Sequence, residues 1–75
     1  MEFAGRITVL RDRGFGFIQD DAGHDRFFHA RDVAGRAFDS LKVGDRVVFV
    51  AVEQERGPAA VDVRLWPESD EAGNV

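Results

Sequence analysis

Two short segments carry residue types that could do chemistry: Arg13-Gly14-Phe15-Gly16-Phe17-Ile18 and Arg26-Phe27-Phe28-His29. In extended backbone, side chains two apart share a face. Phe15 and Phe17 therefore project together, and so do Phe27 and His29. If the two segments pair antiparallel, four flat rings form one patch with Arg13 at its edge. That is what a single nucleic-acid strand requires, because every base offers a stackable face and every nucleotide a charge. Alternating Phe is also a common core pattern. Ile18 and Phe28, however, already supply the opposite face with apolar mass, and a chain of 75 residues cannot bury both faces of these strands. An aromatic patch left outside marks a binding surface. Gly16, between the two Phe, has no side chain to pack and is an odd choice for a core strand.

Other chemistries find little support. There is no cysteine, which excludes disulfides and thiolate metal sites and fits a reducing compartment. Ser40 and Ser69 have no histidine near them in sequence, so no nucleophile is set up. His24, Asp25 and His29 match no common metal-ligand spacing, and His24 and His29 have opposite strand parity. Gly14-Phe15-Gly16 is not a dinucleotide fingerprint, since Gln19 stands at the third glycine position and no helix follows. No enzyme activity, cofactor, metal or small-molecule substrate is expected, and a barrel this small seldom encloses a pocket.

The elements that must position the patch are short and β-like. Arg6 to Leu10 reads as a first strand, with Ile7 and Val9 alternating against Arg6 and Thr8. Phe15 to Gln19 and Asp25 to His29 are the second and third. Residues 30–41 lack period-two alternation and read as a short helical turn and a long loop. Arg46 to Val52 is a fourth strand, apolar on both faces and so expected to be central. A fifth runs from Ala59 to Leu65, where Ala59, Val61, Val63 and Leu65 alternate with Ala60, Asp62 and Arg64. Five strands without a helical period predict an all-β domain, an OB-type or SH3-like barrel, over residues 1–66. Residues 67–75 are expected to form a disordered acidic tail.

Charge runs against a generic polyanion binder, at −4 overall. Three of the 14 carboxylates lie after Trp66, leaving 10 bases against 11 acids and a body of −1. Nine of the ten bases are arginine, which can stack on a base as well as pair with a phosphate. The N-terminus has no secretory pattern, and no apolar run approaches the ~20 residues that span a bilayer. A cytoplasmic monomer with no membrane attachment is expected.

The chain resembles the bacterial cold-shock proteins and related cold-shock domains. Arg13 to Ile18 is similar to that family's first ribonucleoprotein motif, Lys-Gly-Phe-Gly-Phe-Ile, and Asp25 to His29 to the second, Asp-Val-Phe-Val-His. Phe38-Asp39-Ser40-Leu41-Lys42-Val43-Gly44 is similar to Phe-x-x-Leu-x-x-Gly. Arg56-Gly57-Pro58-Ala59-Ala60-Val61-Asp62-Val63 is similar to Arg-Gly-Pro-Gln-Ala-x-x-Val. Four segments in order, from Gly5 to about Leu65, make the resemblance specific. It implies a small five-stranded antiparallel OB-fold barrel that binds single-stranded RNA or DNA, tolerating pyrimidines. It implies stacking by Phe15, Phe17, Phe27, His29 and Phe38, with Arg13 and Arg56 contacting the strand. It also implies an RNA chaperone, antiterminator or translational regulator.

The departures concentrate in the first strand. Thr8-Val9-Leu10-Arg11 stands where the family carries Lys-Trp-Phe-Asn, and the following loop is one residue shorter. Ala30 replaces an aromatic after the histidine, Asp39 a base after Phe38, and Ala59 a glutamine. Each stacked base contributes roughly 1–3 kcal/mol, so two lost platforms correspond to ~2–6 kcal/mol. Arg26 occupies a position where the family buries a valine, and a strand-edge place with its head in solvent is expected. Two alternatives share parts of the pattern. The RNA-recognition motif begins similarly but needs two full helices that this chain lacks. A protein-binding β-barrel that has lost most nucleic-acid affinity would suit the net charge and the missing Trp.

Overall fold

Five strands close into a barrel in the order β1-β2-β3-β5-β4, with β4 returning to β1, in a computed structural model that describes residues 2–66. They are β1 (Glu2–Arg11), β2 (Phe15–Asp20), β3 (Asp25–His29), β4 (Arg46–Gln54) and β5 (Gly57–Leu65). Residues 67–75, expected to be a disordered tail, lie outside the described residues. Four of the five strand contacts are antiparallel; the parallel contact of Phe27 with Ala59 closes β3 onto β5. Closure leaves no strand central, so β4 lies between β1 and β5, burying Val47 and Phe49 and keeping Val48 and Val50 half-buried outside. Between β3 and β4 the chain makes three 3₁₀ turns, Ala30–Asp32, Ala34–Arg36 and Phe38–Ser40, which pack against the core through Val33 and Leu41.

β1 begins at Glu2, four residues before the sequence pattern indicates, because its first half is drawn out by pairing with β4 and its second half by pairing with β2. The strand changes partners at Gly5, where a Cβ would stand 2.5 Å from the Gln19 carbonyl oxygen and 2.8 Å from Ile18. The core is Ile7, Ile18, Phe28, Val33, Leu41, Val47, Phe49, Ala60 and Val63. Gly16 explains itself here: it faces inward, and a Cβ would strike the Val9 carbonyl oxygen and crowd Phe28 and Leu10 at 3.0 and 3.1 Å. Its bareness lets β1 and β2 approach over the Phe28 ring.

Two bulges correct the simple alternation expected from sequence. Thr8 is an extra residue in β1, since Ile7 pairs with Ile18 and Val9 with Phe17. The bulge returns Val9 to the outer face and turns Leu10 inward, so Ile7 and Val9 do not share a face. In β5 the register shifts between the Val50–Val61 and Val48–Arg64 pairs, and Asp62 takes a left-handed φ of 53°. Aspartate tolerates that conformation better than most residues. Ala60 and Val63 are consequently both fully buried, while Val61 lies outside.

Arg26 requires a second correction. Its head is not in solvent: it shares the inward parity of Ile18 and Phe28, and it is 9% exposed. The guanidinium reaches the barrel end, where Nε donates to Asp20 Oδ2 at 3.0 Å and Nη1 to the carbonyls of Val52 and Ala59 and to Glu53. Burial alone would lower the Arg26 pKa, but Asp20 and Glu53 hold it above its ordinary value. Asp20 is equally enclosed and organises the β2–β3 turn by accepting from the N–H groups of Ala22 and His24. Burial would raise its carboxyl pKa; the donors of His24, Arg26 and Ala22 outweigh that and hold it below the ordinary carboxylate value.

Candidate nucleic-acid interface

The antiparallel register of β2 and β3 places Phe15 directly across from His29 and Phe17 directly across from Phe27. All four rings lie on the outer face and are half-buried, whereas Ile18 and Phe28 beneath them are fully buried. The Phe15 and Phe27 rings lie 5.8 Å apart and near-parallel, at 29°. Phe17 meets Phe27 edge-on at 5.7 Å and 72°. These contacts hold the three phenylalanine rings against one another while each stays half-exposed on the outer face.

His29 ends β3 and caps the first 3₁₀ turn. Its Nδ1 accepts from the Arg31 N–H at 3.1 Å, and its own N–H donates to Asp32 Oδ2 at 3.0 Å. Nδ1 is thereby an acceptor, which places the ring proton on Nε2 and fixes the ring plane. Gly14, with φ of 94°, turns the chain between β1 and β2, and its carbonyl accepts from Ala30 N–H at 2.7 Å. That bond docks the Arg13 turn beside His29.

Phe38 and the two arginines arrive from separate elements. Phe38 meets the Phe28 ring at a tilt of 54°, with centroids 6.1 Å apart, and it borders an open hollow with Arg13, His29, Ala30 and Arg31. Arg56, in the β4–β5 turn, borders a neighbouring hollow with Phe27, His29 and Arg31. The seven residues expected from sequence thus gather on one side of the barrel. The β1 contribution is Val9, an aliphatic neighbour opposite Phe17. The Thr8 bulge that puts it there leaves no trace in residue type.

The described cations divide by location. Arg26, Arg46 and Arg64 pair with carboxylates, Asp20 and Glu53, Asp21, and Glu2 respectively, and Arg6 donates to the Gly44 carbonyl. Arg13 and Arg56 are exposed and make no hydrogen bond or ion pair among the described residues. No cluster of histidine, aspartate or glutamate among the described residues could hold a metal ion, and no helix there is long and apolar enough to cross a membrane.

A closed five-strand barrel carrying an outward aromatic patch beside unpaired arginines defines a small OB-type domain. The 'cold-shock' DNA-binding domain model matches residues 3–66, and the chain belongs to the cold-shock domain family, a family of nucleic-acid-binding domains. It is 42% identical to the major cold shock protein CspA of Pseudomonas aeruginosa, over 81% of this chain and 90% of that one. It is 43% identical to temperature acclimation protein A of Pseudomonas fragi, over 71% and 90%. A cold shock-like protein of Aquifex aeolicus is 37% identical over 91% of this chain and all of its own length.

Proposed function

We propose that this domain binds single-stranded RNA or DNA by stacking bases on Phe15, Phe17, Phe27 and His29, with Phe38 beside them and Arg13 and Arg56 meeting phosphates. The observation that carries the reading is the pair of cross-strand ring contacts held half-exposed on a sheet whose inner face is fully buried. Stacking is indifferent to base identity, which suits a pyrimidine-rich or mixed strand. The domain is a binding module rather than an enzyme, and it acts as a cytoplasmic monomer in RNA chaperoning or in regulating transcription or translation.

Val9 beside Phe17 and the net charge of −4 favour one other occupant of the patch, a protein segment. A mobility-shift titration separates the two. A pyrimidine-rich single strand shifts at lower protein concentration than the same sequence as a duplex, because only the unpaired strand can splay its bases onto the rings. Equal, negligible binding of both leaves the protein-binding barrel as the better account.

A further inference from the structure

Arg11 and Arg31 stand out among the side chains that the stacking reading leaves unused. Both are exposed, and neither finds a hydrogen-bond or ion-pair partner for its guanidinium among the described residues. Lys42 is also unpartnered, but it lies in the turn that hydrogen-bonds the Ile7 backbone, away from the rings. Arg11, by contrast, pairs across the ladder with Phe15 on the outer face. It also borders a shallow hollow with Leu10 and Phe38. Arg31 borders both hollows that flank His29, the one shared with Arg13 and Phe38 and the one shared with Phe27 and Arg56.

Resting on the single-strand reading, we propose that Arg11 and Arg31 are nucleic-acid contacts, joining Arg13 and Arg56 in an arginine track around the aromatic patch. Arg31 is the middle of that track, because a strand passing between the two hollows must cross it. Arg11 supplies β1's share: it stands next to Phe15, where its planar guanidinium can stack on a base or pair with a phosphate. The arrangement also answers the adverse net charge. Carboxylates neutralise Arg26, Arg46 and Arg64, and the unpaired arginines are kept for the polyanion. Asp12 and Asp39 border the Arg13–Arg31 hollow without pairing to either arginine, so the track is contested but not closed.

Salt dependence reads the track directly, since each phosphate neutralised on a single strand contributes about 0.7 to the slope of log K against log salt. An oligothymidylate is titrated into the parent, Arg11→Gln, Arg31→Gln, Arg11→Lys, Arg31→Lys and, as a control, Arg46→Gln. Each Gln change at Arg11 or Arg31 lowers the slope by about 0.7, which is about five-fold less weakening per decade of salt. The Lys variants and Arg46→Gln keep the parental slope, and thermal melting is unchanged throughout. Parental slopes in both Gln variants, with the parent still binding and still sensitive to Phe17→Ala, overturn the track and leave the stacking reading standing. A parent that does not bind overturns both.

Discussion

Val9 lies directly across from Phe17 on the outer face of the β1–β2 ladder, and its neighbour Leu10 lies across from Gly16 on the inner face. The bulge at Thr8 produces this arrangement, and the Thr8 hydroxyl donates at 3.4 Å to the Phe17 carbonyl beside it. The outward position across from Phe17 is therefore held by a valine, an aliphatic side chain beside the aromatic rings.

Val9→Trp should add a stacking platform at that position. In a Trp66→Phe background, which removes the native indole over Arg46, we predict that Val9→Trp tightens binding of a pyrimidine-rich strand by ~1–3 kcal/mol, one stacked base. Its fluorescence is quenched on binding. Leu10→Trp has the opposite outcome: the indole enters the crowded space over Gly16 and Phe28 and destabilises the barrel by ~1–3 kcal/mol through overpacking. Fluorescence titration and thermal melting of the two variants check the parity.

Asp20→Asn tests the buried pair. It leaves the Arg26 guanidinium enclosed without its carboxylate, and the expected loss is ~3 kcal/mol, the low end for a broken buried pair, because Arg26 also reaches Glu53 at the surface. The pH dependence follows in sign. A carboxyl whose folded pKa lies below its unfolded value stabilises the fold above that unfolded value, ~3.9, and the contribution is lost as pH falls toward the folded value. Melting temperatures of the parent should drop with acid below about pH 4, and the Asn variant should lose that part of the dependence.

Asp39→Lys should strengthen binding and steepen its salt dependence. The change removes a carboxylate from the hollow bordered by Arg13, Arg31 and Phe38 and adds a cation. The slope of log K against log salt should rise in magnitude by about 0.7 if the new ammonium meets one phosphate. Titration of an oligothymidylate at several salt concentrations measures it, and an unchanged slope places the phosphates elsewhere.

The patch itself was legible because its signal is local: Phe15 and Phe17, and Phe27 and His29, stand two apart, and strand parity does the rest. The barrel was legible from five short runs and their turns. What sequence parity missed were the places where parity fails. Thr8 and Asp62 interrupt the alternation of β1 and β5 without a glycine or proline to announce it, so simple alternation groups Val9 with Ile7 and Val61 with Val63, whereas the bulges separate them. Arg26 was misplaced for another reason. Its burial depends on Asp20, six residues away, and on carbonyls of β4 and β5 that only closure of the barrel brings within reach. The position of Arg31 between two hollows likewise depends on how the first 3₁₀ turn leaves His29.

The most direct test of the stacking claim is the affinity of Phe17→Ala for a pyrimidine-rich single strand, measured beside its thermal melting. Phe17 touches Phe27 edge-on outside the barrel and takes no part in the core, so the account predicts a folded variant that binds ~1–3 kcal/mol more weakly than the parent. A folded variant with parental affinity would contradict it.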